Sequence, residues 1–353
     1  MIVAGGQSPT RPYRGLMDGS VALSRPARRL RSELVDDGIA VDADERVLGI
    51  VLDELEYARR PPQFERRTPV YGAIVVPDDR SLVRAGELVD VIDLADVPLE
   101  TARRFADGRS TYLARQPNGA RLLACFRRSV QYEADLVEIQ ADTGTLIVQR
   151  TVMGVTRAFT DGGTVEWAGH RWTMRPNART QHEQLQPLLP GVAKPVLGGL
   201  LELAVHWLSP ARVGATLVVP AQHGDAGLDL QHSVAAPRLS VKARHHYPAL
   251  FSALMQTDLA TVVDRSGAVQ RLGVGLRTSP EAGVAVDHAR GMRHRSAARY
   301  TFDQPEAIAI VVSEEGPVTV FHRGHALSEC AAGLAPADKA PVDSPRAADL
   351  ASG

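Results

Sequence analysis

Residues 291–322 read GMRHRSAARYTFDQPEAIAIVVSEEGPVTVFH and set a basic cluster just ahead of a buried strand. Behind Gly291, the side chains of Arg293, His294 and Arg295 place three donors at a turn. Guanidinium forks match phosphate oxygens, and a helix starting over Arg293–Arg299 adds backbone N–H groups. Ser296, Ala297 and Ala298 are small enough for that turn to pack closely. Ala307–Val312 reads as a buried strand, and Pro317–His322 pairs with it across Glu315-Gly316. Ser313, Glu314 and Glu315 therefore sit at the strand's C-terminal end, where α/β sheets bind ligands.

Upstream, Val196–Leu208 is apolar on nearly every side and reads as a buried helix closed by Ser209-Pro210. The strand Val213–Val219 follows, then a Gly/Asp/His loop over 221–237 and a helix over His246–Met255. Asp258 stands at the mouth of the strand Ala260–Asp264, a position suited to metal binding or to activating a hydroxyl. A turn at Arg265-Ser266-Gly267 leads into the strand Val269–Leu276, and Pro280–Arg290 is helix or loop.

The first half is strand-rich. Residues 1–25 form a periodless leader, and Asp44–Arg59 places Val47, Leu48, Val51, Leu52 and Leu55 on one helical face. Strands are expected over Val70–Pro77, Leu82–Ala95, Arg121–Arg128, Leu136–Ala141 and Thr145–Thr151, with a short helix at Leu99–Ala106. Asp161-Gly162-Gly163 marks a hairpin between Val152–Phe159 and Thr164–Trp167. The polar segment 176–190 is a boundary, and 331–353 reads as a disordered tail. The short signatures YGAIVVP and VGATLVVP recur in the two halves. His245, His246, Trp167, Trp172 and His182 are too dispersed to indicate a metal site.

With 353 residues, two domains or three are expected. Hydrophobic residues make up 44% and charged residues 23%, which excludes global disorder. Forty basic against 41 acidic residues leave a net charge of −1, so no global polycation exists for wrapping nucleic acid. The cysteines, Cys125 and Cys330, are no disulfide framework and no zinc site. No apolar run approaches the ~18 residues that span a membrane. A soluble, cytoplasmic protein is expected.

Taken in order, GGLLELAVHWLSPAR, VGATLVV, TDLATVVD, LGVGL, GMRHRSAA and AIAIVVSEEGPVTVF resemble the diadenylate cyclase domain of DisA- and CdaA-type proteins over about residues 196–324. The family's hallmarks are Asp-Gly-Ala, Gly-Thr-Arg-His-Arg and a strand leading to Ser-Glu-Glu. The resemblance implies an α/β (α+β) chain: a mixed-sheet nucleotide-binding domain over 191–328, preceded by a strand-rich regulatory or sensor domain over 26–190. It also implies that two ATP molecules meet at a head-to-head dimer and become cyclic di-AMP and pyrophosphate, with Mg²⁺ or Mn²⁺. Asp258 would hold the metal and help activate the 3′-hydroxyl, while Arg293, His294 and Arg295 handle phosphate. Leu259, Ala260, Gly275, Leu276, Gly291, Met292, Ser296, Ser313 and Glu314 would line the nucleotide.

This chain departs from the family at Leu259, in place of Gly, and at Met292, in place of the usual Thr. Both changes remove a polar or close-approach feature, so the alternative is a catalytically weak or inactive nucleotide-binding sensor domain. Neither a CdaA-type membrane front nor the DNA-binding helix-hairpin-helix of DisA is evident.

Overall fold

The computed structural model describes residues 23–330, apart from 41–42, 64, 66–67, 77–81, 83–85, 87, 168, 222–225, 287–290 and 315. The expected tail, and the leader as far as residue 22, lie outside the described residues. Among the described residues no helix is long and apolar enough to cross a membrane.

The chain builds two mixed sheets in succession. The first unit opens with two helices, α1 (Arg25–Asp36) and α2 (Glu45–Arg59). Ser24 caps α1 by accepting from the Ala27 amide at 3.2 Å, and Asp44 caps α2. The strands β1 (Tyr71–Val75), β2 (Leu88–Asp93), β3 (Thr111–Arg115) and β4 (Arg121–Phe126) follow, with α3 (Leu99–Ala102) between β2 and β3. After α4 (Glu133–Thr143) come β5 (Leu146–Arg150), β6 (Thr156–Thr160), β7 (Gly163–Trp167) and β8 (Trp172–Arg175). The sheet order is β2-β4-β3-β1-β5-β6-β7-β8, and β1 runs parallel to β3. Alternation along β1 fixes both faces. Tyr71, Ala73 and Val75 pack with α1 and α2, while Ile74 joins α4 residues Leu136 and Ile139 on the opposite side.

Leu136–Ala141, expected as a strand, is helical. Its apolar positions recur with helical spacing once the buried Glu133, Gln140 and Thr143 are counted with Leu136 and Ile139. Gly144 ends the helix at φ +66°, the left-handed conformation that closes a helix C-terminus.

The second unit begins at α5 (Ala178–Leu185), capped by Asn177. Ala178, Leu185 and Leu189 join the core of this unit, so the polar stretch 176–190 packs inward as a helix. It continues with α6 (Lys194–Leu203), a π-helical turn at Ala204–Leu208, β9 (Ala215–Val219), β10 (Leu228–Asp229), β11 (Val234–Ala235) and α7 (Tyr247–Leu254). Then follow β12 (Ala260–Val263), β13 (Val269–Leu276), α8 (Pro280–Ala285), α9 (Gly291–Asp303), β14 (Ile308–Val312), β15 (Val318–His322) and β16 (His325–Cys330). The order is β10-β13-β12-β9-β14-β15-β16, with β11 also on β13 and β9 parallel to β12.

The repeated signatures are the middle strands of the two sheets. β1 and β9 each have a parallel neighbour on one side and an antiparallel neighbour on the other. Both are buried at every position, as strands covered on both faces must be. In β14, Ile308, Ile310 and Val312 face α6, while Ala309 and Val311 face the Ala297–Tyr300 side of α9.

The units are joined through buried charge. Glu133 at the start of α4 is fully buried and sits 2.9 Å from both Arg157 of β6 and Arg175 of β8. It also accepts at 3.0 Å from Nδ1 of His206, in the π-helical turn of the second unit. His206 Nε2 accepts from the Ala178 amide at 3.0 Å, so the ring proton is on Nδ1. Burial alone would raise the Glu133 carboxyl; Arg175, the His206 hydrogen bond and Arg157 outweigh it and hold the group at about 2. Arg244 adds a second tie, meeting Glu138 of α4 at 2.6 Å and also pairing with Glu202 of α6.

A carboxyl held below its unfolded value stabilises the fold above pH ~4.5, and that contribution is lost as pH falls toward 2. Glu133→Gln is expected to cost about 3–5 kcal/mol at pH 7 by leaving Arg157 and Arg175 uncompensated. Denaturant midpoints measured from pH 7 downward check this, because the variant should lack the part of the acid-range loss that belongs to Glu133.

Candidate active site

One end of the second sheet gathers the acidic and basic side chains singled out in the sequence. The register pairs Ala260 with Thr216 and Val274, and Val312 with Ala215. The segments before β9 and β12 and after β13 and β14 therefore emerge side by side. The site thus lies at the N-terminal ends of the parallel pair β9 and β12. The rule that ligands sit at the carboxyl ends of parallel strands does not describe it, because β14 is antiparallel to β9.

Arg293 lies in the first turn of α9, not in a turn ahead of the helix. Its Nη1 donates to Glu314 Oε1 at 2.8 Å, and its Nη2 lies 3.6 Å from Asp258 Oδ1. The Asp258 and Glu314 side chains are 83% and 70% exposed, so these pairs are weak. Ser313 opens the β14–β15 turn, with its amide on Pro317 O and its carbonyl on the Gly316 amide.

Consecutive helix residues point about 100° apart, so Arg293, His294 and Arg295 do not converge on one point. The His294 ring faces the sheet, with Nε2 3.2 Å from Thr319 Oγ1 and the ring edge-on to Phe321. Arg295 forms no ion pair among the described residues, and its Nε is buried without a hydrogen-bond partner. Gly291 and Met292 are exposed at the helix start and Ser296 is half-buried. Gly275 and Leu276 pair with Asp229 and Leu228 of β10, at the same sheet end as Asp258.

Leu259 stands beside Asp258 at the same sheet end. Its backbone is left-handed at φ +67°, its amide is bonded to Asp258 Oδ1 at 2.9 Å, and its side chain is largely exposed. A glycine suits that position because of the backbone angle.

Gly214, directly before β9, is a site residue that the sequence reading did not single out. A Cβ there would overlap Arg293 Nη1 and lie 2.8 Å from Glu314 Cγ, so a larger residue would have to displace these two side chains. Its sequence signal is a glycine heading a fully buried strand.

Among the described residues no cluster of three or more His, Cys, Asp or Glu forms a metal cage. One exposed carboxylate beside an arginine fits only a divalent ion that takes most of its ligands from another molecule and from water.

Residues 202–326 match the family model described as DisA bacterial checkpoint controller nucleotide-binding. This region is a diadenylate cyclase-family domain. Residues 28–175 match a second family model, described as probable sensor domain DACNK. Together the two matches place a sensor-family unit ahead of a diadenylate cyclase-family unit. Among solved structures, a hypothetical membrane spanning protein from Bacillus cereus is 19% identical, over 43% of this chain and 79% of that one, at a TM-score of 0.29. A double mutant of DacA from Staphylococcus aureus is 17% identical, over 44% of this chain and 91% of that one, at a TM-score of 0.29. No curated protein matches.

Leu259→Gly is expected to stabilise the chain by about 1 kcal/mol by relieving the left-handed backbone. Leu259→Ala should change stability by less than about 0.5 kcal/mol, because the side chain is exposed. Equilibrium denaturation of the two variants separates backbone strain from side-chain crowding.

Proposed function

We propose that the chain is a diadenylate cyclase that condenses two ATP into cyclic di-AMP and two pyrophosphates at a head-to-head homodimer in the cytoplasm. The observation that carries this reading is the meeting of Asp258, Arg293 and Glu314 at one sheet end, within 3.6 Å and 2.8 Å of the shared guanidinium. In each half-reaction a 3′-hydroxyl oxygen bonds to the partner nucleotide's α-phosphorus, the bond to pyrophosphate breaks, and the hydroxyl proton leaves.

Asp258 sits where a carboxylate can orient that hydroxyl or take its proton. Arg293 exchanges Glu314 for phosphate oxygens and offsets the charge that builds on them. Arg295, two residues on and turned to another side of the helix, forms no ion pair among the described residues and adds positive charge to this end of α9. His294, through Thr319, holds the helix against the sheet and so keeps Arg293 in place. Mg²⁺ or Mn²⁺ bound with the nucleotide would lower the pKa of the attacking hydroxyl and neutralise phosphate charge.

The exposure of Asp258 supports the dimer, since one copy leaves this face open and a second copy carrying its own ATP would close it. The second reading, nucleotide binding without turnover, is favoured by the strained Leu259 beside Asp258.

Incubation of purified protein with ATP and Mg²⁺ or Mn²⁺ should yield cyclic di-AMP, and Asp258→Asn should lose at least about a hundredfold of the rate. ATP bound with no product in wild type would replace the cyclase by the binding-only reading. Arg293→Ala should weaken ATP binding by about 1.5–3 kcal/mol in a titration under either reading. Gly214→Ala should leave the denaturation midpoint nearly unchanged and weaken ATP binding by displacing Arg293.

A further inference from the structure

A second cavity, of about 610 Å³, lies between the sensor sheet and the cyclase-family unit, within the size range of small-molecule sites. One wall is aromatic. Trp207 of the π-helical turn stacks on Tyr132 at 5.6 Å and 14° between planes, and Phe251 of α7 meets Trp207 at 6.2 Å. π-helical turns are rare and concentrate at functional sites. The Trp207 indole N–H is buried with no hydrogen-bond partner among the described residues.

The charge of the lining is unbalanced. Its acids, Glu133 and Glu166, are already engaged by arginines, Glu133 by Arg157 and Arg175 at 2.9 Å and Glu166 by Arg175 at 3.6 Å. Arg109, Arg150 and Arg212 also line it, and none forms an ion pair among the described residues. Among the described residues Arg150 bonds only the Ala58 carbonyl, at 3.1 Å, and burial pushes it down from the usual arginine range. At the cavity's edge, the β5–β6 turn holds Val152 and Met153 at 60% and 84% exposure, an exposed apolar surface.

We propose that this cavity is a binding site for a small organic anion with a flat aromatic body, its ring against Trp207 and Tyr132 and its charge met by Arg150 with Arg109 or Arg212. Binding at this site can be measured without turnover at the nucleotide cleft.

The test uses two probes with the same aromatic frame on the full chain. These are the anion 8-anilinonaphthalene-1-sulfonate and the neutral N-phenyl-1-naphthylamine, both followed by fluorescence. The anion should bind saturably at one site per chain and at least about tenfold tighter than the neutral probe. Arg150→Gln should weaken the anion by about fivefold or more and change the neutral probe by less than about twofold. Met153→Glu, at a position too exposed to disturb folding, should also weaken the anion about fivefold or more by placing a like charge at the mouth. Equal affinity for the two probes, no saturable binding, or unchanged anion binding in both variants would overturn the proposal.

Discussion

The relation between the two units depends on one buried carboxylate. Glu133 has no solvent to share its charge, so Arg157, Arg175 and His206 must all stay in place around it. These partners come from β6, from β8 and from the π-helical turn that follows α6. A chain that buries this carboxylate has therefore fixed β6 and β8 of the first sheet against the π-helical turn that ends α6 in the second unit. Within the sensor unit Glu54 plays a comparable part, bonded by Arg103 at 2.9 Å and by the Tyr71 hydroxyl at 2.6 Å under α2. Each sheet interface of this unit is thus tied by an acid with no exposed surface, and partial repacking would leave charges unpaired.

The parts of the chain that are legible in its sequence are those whose neighbours lie close by in sequence. β1, β9 and β14 read correctly because a short apolar run bounded by Pro, Gly or Asp has few alternatives to a buried strand. Helix α4 reads incorrectly because its inward face includes Glu133, Gln140 and Thr143. Those polar groups are buried only because Arg157, Asp161 and Thr145 satisfy them, and two of those partners become neighbours only after the sheet forms. Helix α1 hides for a related reason: only Ala27, Leu30 and Leu34 face inward, among many arginines.

The candidate site divides in the same way. Asp258, Arg293 and Glu314 are readable as polar residues at element ends, and the resemblance orders them. Their grouping depends on register, since Val312 must face Ala215 and Thr216 must face Ala260 before the three ends coincide. The side-chain directions of His294 and Arg295 depend on where the helix begins, and it begins at Gly291, before the basic run. The sequence shows that Leu259 replaces a glycine; it does not show that the difficulty lies in a backbone angle and that the side chain stays in solvent.

The connection between cavity and cleft is short and has little slack. Trp207 and Arg212 line the cavity, and Gly214 underlies Arg293 and Glu314. At about 3.3–3.6 Å per residue, the step from Arg212 to Gly214 reaches no more than ~7 Å even when extended. The loop before it is pinned twice over. The Arg212 amide bonds Ser209 O at 3.0 Å and the Val213 amide bonds Leu208 O at 3.0 Å. The Ser209 hydroxyl donates to Gly316 O in the very turn that carries Glu314. Arg212 itself is held at φ +55°, a conformation with little room to relax for a residue bearing a Cβ. A shift of the π-helical turn therefore has two routes into the cleft, along the chain to Gly214 and across the Ser209 hydrogen bond to the Glu314 turn. Both end at Arg293, so a movement at Trp207 that the loop does not absorb changes the distance between the guanidinium and its carboxylates.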